Sequence, residues 1–325
     1  MKLTKRVAVL MGGPSAEYEI SLKSGQGAAE ALRRSGYQVE CVGIPHSMTV
    51  EDAQAFTKRV IPRLEAAVIF LALHGTFGED GTIQQICEEL HVAYTGSDAA
   101  ASRLGMDKIA SRQRFLQAGL HIPRWRLVTD RPRDIAALEE LRYPLIVKPS
   151  DQGSSVGISL VAHPGQLLAG LEDARRYSPT VIVEEFIKGR ELTVGVIGEE
   201  VLPVVEIAPR RPFFDFTAKY TAGMTDYHVP AALAPRVAVA VQEAGLRAHD
   251  AIGCRHFSRT DMMLTEEGTP VVLEVNTIPG LTPTSLLPKA AACAGLTYEA
   301  LCAHVVEMAF DASVVAVPAL SGHPS

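Results

Sequence analysis

The first part of the chain alternates short apolar runs with amphipathic stretches. Residues 7–11 form a continuous apolar run that ends at Gly12, and apolar positions at helical spacing follow over residues 16–32. This order predicts a strand, a tight turn and a helix. Two further runs rich in Val, Ile and Leu, at residues 38–44 and 67–73, predict strands that are covered on both faces. We therefore expect an open α/β sheet of Rossmann type.

The loops that follow these strands are the expected ligand-binding edge of the N-terminal sheet. Ligands of open α/β sheets bind at the carboxyl ends of the strands. The loops that begin at Gly12 and at His74 should therefore face one crevice. We assign this unit to residues 1–105.

A mixed order of helices and strands follows over residues 106–190. The pattern predicts helices at residues 105–119 and 166–177, and strands at residues 144–148 and 181–184. We interpret this stretch as a separate α+β unit.

A third unit, also α+β, is expected over residues 191–315, with a frayed tail at residues 316–325. Residues 208–230 contain several prolines and show no period. Loops of that length inside a compact domain are commonly lids or binding loops, and we predict a lid here. The predicted strands of this unit are residues 192–197, 201–207, 260–264 and 271–275, and helices close the chain from Ser285 onward.

Composition and charge narrow the classes of protein that fit this pattern. The chain has 325 residues, of which 47% are hydrophobic and 21% charged, and a formal net charge of -6 at pH 7. This length supports two or three domains, and the acidic balance argues against a nucleic-acid partner. Five cysteines without a C-x-x-C pair, and no apolar run long enough to span a membrane, predict a soluble protein of a reducing cytoplasm with no membrane partner.

The sharpest local signal for chemistry is the segment that begins at Lys148 and continues through Gly153, Ser154 and Ser155 to Gly157. Backbone N–H groups of such a small, hydroxyl-rich loop can bind phosphate oxygens while the lysine adds a point charge. The residue order differs from the G-x-x-x-x-G-K-[ST] pattern. Taken alone, the segment therefore fits either a phosphate-binding loop or an ordinary hairpin turn.

Acidic and amide side chains end two predicted strands of the third unit. Asp261 follows Arg259 on one strand, and Glu274 and Asn276 end the other, so these side chains meet if the two strands pair. Hard oxygen ligands of this kind suit Mg²⁺, although solvated acids at strand ends would give the same pattern. Arg259 stays charged at any working pH and is suited to neutralise a phosphoryl group or an oxyanion.

A charged run begins at Glu184 and Glu185 and extends to Glu191. Backbone at a strand end can pair with an adenine edge, and a carboxylate can bind ribose hydroxyls. Taken alone, a charge run of this kind also fits a solvated face.

Together these segments resemble the ATP-grasp enzymes, in which two α+β units hold ATP between them. The shared order is Lys108, Lys148 with its loop, Glu184 and Glu185, Glu191, Asp261, and Glu274 with Asn276. Four further segments resemble those of D-alanine–D-alanine ligases, at residues 12–17, 74–81, 218–220 and 276–280. The resemblance covers about residues 5 to 310 and implies an ATP-grasp fold preceded by a Rossmann-like N-terminal domain.

The resemblance implies ATP-dependent ligation of two D-alanines for peptidoglycan synthesis. ATP phosphorylates the carboxylate of the first D-alanine, and the amine of the second attacks the acyl phosphate through a tetrahedral intermediate. The implied partners are ATP and D-alanine as substrates, two Mg²⁺ or Mn²⁺ ions as cofactors, and a second copy of the chain in a homodimer.

The same resemblance implies how the first D-alanine is held. Glu17 would bind its ammonium group, for which a carboxylate is the natural counter-ion. His74 would line the same subsite. Ser154 and Tyr220 would join Glu17 in a hydrogen-bonded triad that closes the lid.

For the nucleotide, the resemblance implies that lysines hold the phosphates and that acids hold the metal ions. The implied ATP-binding residues are Lys108, Lys148, Ser155, Glu184, Glu185, Ile187, Glu191 and Lys219. The implied ligands of the two ions are Asp261, Glu274 and Asn276.

For the second D-alanine, the resemblance implies an oxyanion site and a carboxylate site. Arg259 and the N–H of Gly280 would bind the oxyanion of the tetrahedral intermediate. Ser285 and the N–H of Leu286, at the predicted start of a helix, would receive the carboxylate, because that end of a helix favours anions.

Other functions remain open at this point. A sister ligase that joins D-alanine to D-lactate or D-serine would share most of these segments, although Tyr220 after Lys219 favours the dipeptide enzyme. A nicotinamide oxidoreductase fits the first strand and its glycines, but the third glycine of the G-x-G-x-x-G pattern is absent. A binding protein without catalysis leaves the metal-type residues unexplained.

Overall fold

Three β-sheets organise the part of the chain that this computed structural model describes, which is residues 6–129, 131–150, 157–209 and 225–315. The elements of the first sheet are β1 (Arg6–Gly12), α1 (Tyr18–Arg34), β2 (Gln38–Ile44), α2 (Val50–Val60), β3 (Val68–Leu71) and α3 (Thr82–Glu89). Its strands are parallel, in the order β2-β1-β3. The strand predicted at residues 38–44 is confirmed, and the strand predicted at residues 67–73 is shorter than expected.

Both faces of this sheet are buried. Val7 and Val9 belong to one apolar core with residues of α1 and of the C-terminal helix. Ala8 and Leu10 belong to a second core beneath α2 and α3. Burial on both faces explains why β1 is an unbroken apolar run rather than an alternating one.

Two helices connect the first sheet to the rest of the chain, α4 (Ala99–Met106) and α5 (Lys108–Gln117). The helix predicted at residues 105–119 is confirmed as α5, but α5 starts at Lys108, because a separate helix ends just before Asp107. The carboxylate of Asp107 accepts hydrogen bonds from the N–H groups of Ile109 and Ala110, at 2.9 and 3.0 Å. An aspartate in that position caps a new helix and interrupts the old one.

The second sheet is antiparallel, in the order β4-β7-β5-β6. Helix α7 packs on one face through Leu171 and Ala174. The other face carries Lys148, Glu184 and Trp125, because side chains alternate along each strand. Its elements are β4 (Trp125–Val128), α6 (Pro132–Ala136), β5 (Leu145–Pro149), β6 (Ser159–Val161), α7 (Leu167–Arg175) and β7 (Val181–Glu185).

The third sheet is also antiparallel, in the order β11-β10-β8-β12-β13, with β9 paired to β8. Helix α8 covers one face, and α9 lies on the other, where Leu287 packs against Gly195. The elements are β8 (Gly189–Ile197), β9 (Glu200–Val201), β10 (Val205–Pro209), β11 (Thr225–His228), α8 (Pro235–Ile252), β12 (Phe257–Thr265), β13 (Pro270–Asn276), α9 (Leu286–Cys293) and α10 (Tyr298–Val315).

Two expectations for this region need correction. The strand predicted at residues 201–207 is two strands, since Pro203 lies in the gap between β9 and β10 and has no N–H for a sheet. The stretch predicted as a lid at residues 208–230 contains strand at both ends. Pro209 of β10 lies opposite Thr225 of β11. The residues between them, 210–224, lie outside the described part of the chain.

Within the described ranges, no helix is both long and apolar enough to cross a membrane. The apolar core under α8 includes Ala101 of α4 and Phe115 of α5 as well as residues of the third sheet. Helices near the predicted boundary at residue 105 therefore pack against the third sheet, and the domain boundaries themselves stay a prediction.

Candidate active site

Four polar side chains share one face of the third sheet, where β12 and β13 pair. Arg259 lies opposite Asn276, and Asp261 lies opposite Glu274. Residues two apart on a strand, and residues opposite each other in a pair, project to the same face. Thr260 points the other way and donates a hydrogen bond to a carbonyl of α8 at 3.2 Å. Strand pairing therefore brings the four predicted residues together.

The carboxylate of Asp261 is the centre of this group. Its Oδ1 accepts from Nε of Arg259 at 2.8 Å and from Oγ1 of Thr193 at 2.6 Å. Its Oδ2 accepts from Nη2 of Arg259 at 2.7 Å and from Nδ2 of Asn276 at 3.0 Å. Both oxygens are thus engaged, and Asn276 contacts the carboxylate through its amide nitrogen.

Arg259 is buried, with 7% of its surface exposed. Burial by itself lowers the pKa of the guanidinium. Nearby carboxylates have the opposite effect, and together they raise the pKa above its usual value. They belong to Asp261, Glu274 and Glu79. The charge of Arg259 is therefore fixed, as an oxyanion-binding group requires.

The metal-ligand prediction can be tested against the donors that are present. Asp261, Glu274 and Asn276 offer two carboxylates and an amide oxygen on one face. Such a set fits a hard cation that takes its remaining ligands from water and phosphate. No group of three His, Cys, Asp or Glu side chains arranged for a metal ion occurs among the described residues. A cation on Asp261 would replace at least one of the donors that now contact it.

A second group of charged side chains lies on the face of the second sheet that is turned away from α7. Nζ of Lys148 donates to Oε1 of Glu184 at 2.6 Å, and Nη2 of Arg112 donates to Oε2 of the same carboxylate. Arg112 and Glu184 are 2% and 4% exposed, so the group is buried. Nη1 of Arg112 also donates to the carbonyl of Lys108 at 3.1 Å.

The electrostatics of this group follow from its burial. Burial lowers the pKa of Lys148, and although Glu184 opposes this change, Arg112 and Lys108 reinforce it. Burial also works against ionisation of Glu184, but Lys148 and Arg112 outweigh it and lower the pKa of that carboxyl. Two cations and one anion are thus held together away from water.

Glu185 belongs to the other face of β7. Its Oε1 accepts from the N–H of Arg142 at 3.0 Å and lies 3.6 Å from Nη1 of Arg124. Its carboxylate therefore does not join Lys148 and Glu184. Ile187 and Glu191 follow on the chain from β7 into β8, and Glu191 lies opposite Met263 of β12.

The loops after β1 and β3 meet, as the sequence predicts. Gly75 has a φ of 69°, and a Cβ on it would lie 2.9 Å from Oε2 of Glu17 and 2.5 Å from Oγ of Ser15. The backbone of this loop thus lies against the Glu17 carboxylate, and only glycine fits there.

His74 is buried and both of its ring nitrogens have partners. Nε2 lies 3.0 Å from Oγ of Ser24, and Nδ1 lies 3.2 Å from the carbonyl of Ile278 and 3.3 Å from Oε1 of Glu79. A carbonyl only accepts, so Nδ1 carries a hydrogen, and in the neutral ring Nε2 accepts from the hydroxyl. His74 thereby links the first sheet to the loop after β13.

Ser285 and Leu286 begin α9, as predicted. Ser285 is the N-cap residue, but its hydroxyl makes no cap hydrogen bond. It accepts instead from the N–H of Thr282 at 3.2 Å. A Cβ on Gly280 would lie 3.1 Å from Oγ of Ser285. The N–H of Leu286 lies in the first helical turn, where no intrahelical acceptor exists.

The remaining predicted site residues lie outside the described ranges. They are Ser154, Ser155, Lys219 and Tyr220.

Three residues of these groups were not assigned from the sequence. Arg112 follows Lys108 by four positions, so helical spacing puts the two on one face. Thr193 lies opposite Asp261 in the pairing of β8 with β12. Glu79 lies inside a segment that carries the family resemblance, but only its contact with His74 reveals a role.

Comparisons with known proteins agree with this geometry. The family model described as "D-ala D-ala ligase C-terminus" matches residues 115–307, and the model described as "D-ala D-ala ligase N-terminus" matches residues 47–97.

Similar proteins cover nearly the whole chain. The D-alanine–D-alanine ligase of Syntrophotalea carbinolica is 42% identical over 297 residues, which are 91% of this chain and 93% of the relative. That of Trichlorobacter lovleyi is 42% identical over 300 residues, 91% of this chain and 92% of the relative.

Solved structures give the same picture. The D-alanine–D-alanine ligase of Bacillus anthracis complexed with ATP superimposes with a TM-score of 0.82 at 32% identity, covering 96% of this chain and 99% of that one. The D-Ala:D-Ser ligase VanG of Enterococcus faecalis gives 0.82 at 31% identity, covering 94% and 99%. The fold is the ATP-grasp fold with a Rossmann-like N-terminal domain. Within that class, the chain belongs to the D-alanine–D-alanine ligase family.

Proposed function

We propose that the protein joins two molecules of D-alanine into D-alanyl-D-alanine, with conversion of ATP to ADP and phosphate, for peptidoglycan synthesis. The observation that carries this proposal is the shared face of β12 and β13, where Arg259 and Asp261 lie opposite Asn276 and Glu274. This face carries a cationic side chain beside oxygen atoms that can bind a metal ion, the combination that phosphoryl transfer requires.

The reaction has two steps. A carboxylate oxygen of the first D-alanine attacks the γ-phosphorus of ATP, which forms an acyl phosphate and releases ADP. The amine of the second D-alanine then attacks the carbonyl carbon. The tetrahedral intermediate loses phosphate, and the nitrogen loses its extra proton, which leaves the peptide bond.

The nucleotide would lie between the second and third sheets. Lys108 and Lys148 would bind its α- and β-phosphates, and Lys219 would reach the γ-phosphate. This assignment is supported by the buried excess of positive charge around Lys148 and Glu184. The further residues proposed on the ATP side are Ser155, Glu184, Glu185, Ile187 and Glu191.

Asp261, Glu274 and Asn276 would hold two Mg²⁺ or Mn²⁺ ions. Such ions, when bound, neutralise the charge that develops on the phosphate oxygens. The two carboxylates and the amide oxygen on one face support the assignment.

The first D-alanine would lie at the carboxyl ends of β1 and β3, with its ammonium group on Glu17. The approach of Gly75 to Glu17 supports a crevice shaped for a small molecule. His74 would shape this subsite through the bonds that its ring nitrogens make to protein groups. Ser154 and Tyr220 would complete the triad with Glu17.

The second D-alanine would be held by its carboxylate at Ser285 and the N–H of Leu286. Its amine would then face the acyl phosphate, and Arg259 with the N–H of Gly280 would bind the oxyanion that forms. The closeness of Gly280 to Ser285 supports one continuous subsite for intermediate and nucleophile.

The identity of the second substrate separates this proposal from its nearest alternative, a ligase that uses D-serine or D-lactate. The similarity to VanG, a D-Ala:D-Ser ligase, makes D-serine a specific competitor. We favour D-alanine because the similar proteins of 42% identity are D-alanine–D-alanine ligases.

The decisive assay measures phosphate release together with the product by mass spectrometry. Release should require ATP, Mg²⁺ and D-alanine together and should yield the dipeptide. L-alanine should give no turnover. A preference for D-lactate or D-serine at neutral pH over D-alanine would overturn the substrate assignment, and release without any amide product would overturn the reaction.

We also propose three structural units with breaks near residues 105 and 190, a homodimer, and a location in the cytoplasm, where ATP and D-alanine are present. The separate sheets support the units. Sedimentation of the purified protein tests the dimer, and a monomer at micromolar concentration would contradict it.

A further inference from the structure

We propose that Arg112 is a positioning residue of the nucleotide site, which holds Glu184 from one side so that Lys148 stays oriented for the phosphates of ATP. This inference rests on the proposed ATP-dependent function. It concerns a residue that is 2% exposed and that acts through Glu184.

The geometry divides one carboxylate between two cations. Nη2 of Arg112 donates a hydrogen bond to Oε2 of Glu184, and Nζ of Lys148 donates one to Oε1 at 2.6 Å. Each oxygen of Glu184 therefore has its own cation as a partner, and Lys148 contacts only one of the two oxygens. With Arg112 removed, Lys148 would be the sole cation on Glu184 among the described residues, and both oxygens would compete for its ammonium group.

The charges of the group point to an anion as its ligand. Arg112 and Lys148 with Glu184 sum to one positive charge, whereas Lys148 and Glu184 alone sum to zero. Buried charges are screened weakly by salt, so this excess acts over a longer range than a surface charge would. Lys108, one helical turn from Arg112, adds to it.

Arg112 also fixes the helix that carries Lys108. Its Nη1 donates to the carbonyl of Lys108 at 3.1 Å, and its guanidinium lies over the ring of Trp125 with the carbon 5.5 Å from the centroid. One side chain thus ties α5 to β4 and β7. A planar guanidinium can make these contacts at once, whereas a lysine ammonium cannot.

The protein carries its own reporter of this site. Trp125 is the single tryptophan of the chain, and it lies opposite Glu184 in the pairing of β4 with β7. Its fluorescence should therefore change when a nucleotide reaches the group and when Arg112 is replaced.

The test compares Arg112→Met and Arg112→Lys with Arg114→Met, a matched control on the exposed side of the same helix. ATP with Mg²⁺ is titrated against Trp125 fluorescence in the absence of D-alanine, and KM for ATP, KM for D-alanine and kcat are then measured. Arg112→Met should raise Kd and KM for ATP about 10- to 100-fold, the loss expected for one charged hydrogen bond, with a smaller effect on KM for D-alanine. Arg112→Lys should recover part of the loss, and Arg114→Met should match the wild type.

The pH dependence gives a readout that a purely structural residue would not move. The charged groups that face Lys148 are Glu184 on β7 and Arg112 and Lys108 on α5. Because Arg112 helps to lower the pKa of Lys148, its removal should raise that pKa. The loss of ATP affinity at high pH should then shift to higher pH in Arg112→Met.

The double variant Arg112→Met with Glu184→Gln keeps the test decisive if the single variant does not fold. It removes both buried partners of Lys148, so the group again carries one net positive charge. The double variant should therefore bind ATP more tightly than Arg112→Met. If Arg112→Met is unfolded, the double variant should still fold and bind ATP. Wild-type affinity for ATP in Arg112→Met would overturn the inference, as would an effect of Arg112→Met on ATP affinity that is as large in the Glu184→Gln background as in the wild type. A wild-type protein that binds no ATP would instead overturn the proposed function.

Discussion

Arg259 and Asp261 lie two residues apart on β12 and form a two-point ion pair on the same face of the strand, with N to O distances of 2.8 and 2.7 Å. A proposed oxyanion-binding residue and a proposed metal ligand are therefore counter-ions of each other in the free protein. Both are largely buried, and a buried charge without a partner is costly. The ion pair therefore balances these two buried charges and holds both side chains in place.

Replacement of Arg259 by lysine tests the oxyanion role. Lysine keeps the charge but cannot make the two-point contact. We expect kcat to fall about 10²-fold, the range found when one oxyanion donor is lost, with a small change in KM for ATP.

Arg190→Lys is the matched control for that variant. Arg190 makes a similar two-point pair with Glu206, at 2.7 Å for each contact, on β8 and β10. Its variant should keep the wild-type kcat in the phosphate-release assay. Equal losses in the two variants would mean that Arg259 acts only through the stability of the sheet.

Glu274→Gln tests the metal-ligand role. The amide keeps the size of the side chain and its place opposite Asp261 but removes a negative charge from the proposed metal site. Turnover should fall by orders of magnitude, roughly 10²-fold or more, while the melting temperature stays near that of the wild type. Raised Mg²⁺ should recover part of the activity. Glu267→Gln, in the exposed turn between β12 and β13, serves as the control, and unfolding of Glu274→Gln at ordinary temperature would show that the residue is structural.

The elements predicted correctly from the sequence are those whose surroundings produce a simple pattern of apolar and polar residues. Strand β1 is covered on both faces after Arg6, so Val7 to Met11 form an unbroken apolar run. The sequence predicts that the polar residues of these two strands meet if β12 pairs with β13, and the two strands do pair. Asp261 and Glu274 then lie opposite each other through backbone register alone.

The elements that were missed depend on contacts between distant parts of the chain. A charged residue on a helix suggests a solvated face, yet Arg112 is buried because Glu184 lies 72 positions away along the chain and beside it in space. Strand β11 is short and polar, and it is placed by its pairing with β10. Asp107 caps the second of two consecutive helices and so separates it from the first. The spacing of apolar residues does not reveal this break.

Gly75→Ala tests the crevice proposed for the first D-alanine. Alanine is strained at a φ of 69°, and its Cβ would lie 2.9 Å from the Glu17 carboxylate. We expect KM for the first D-alanine to rise about tenfold or more, since the carboxylate must move by a fraction of an ångström. Initial rates over a range of D-alanine concentrations measure the change.

Gly36→Ala is the control for backbone strain. Gly36 has a φ of 88°, and no atom lies within 4 Å of a Cβ built on it. It should lose about 1 kcal/mol of unfolding free energy through strain, as Gly75→Ala does, but keep the wild-type KM. A raised KM in both variants would show that strain rather than contact with Glu17 is responsible.

His256 should make the stability of the protein depend on pH on the acid side. Nδ1 accepts from the N–H of Gly96 at 3.1 Å, which requires the neutral ring, and burial with help from Arg255 lowers the pKa of His256 to about 4. In the unfolded chain a histidine titrates near pH 6.5, so the unfolded state binds more protons between that pH and 4. The free energy of unfolding should be constant with respect to this group above pH 6.5 and fall by up to about 3 kcal/mol as the pH drops to 4.

His256→Asn should flatten this dependence. The backbone of His256 has a φ of 61°, which asparagine tolerates better than most residues, and its side-chain oxygen can accept from the N–H of Gly96. Urea unfolding at pH 7.5, 6 and 5 measures the slope, with His304→Asn, an exposed residue of α10, as the control. Some slope should remain, because burial also lowers the pKa of His249. A slope in His256→Asn equal to that of the wild type would mean that other groups account for the acid sensitivity.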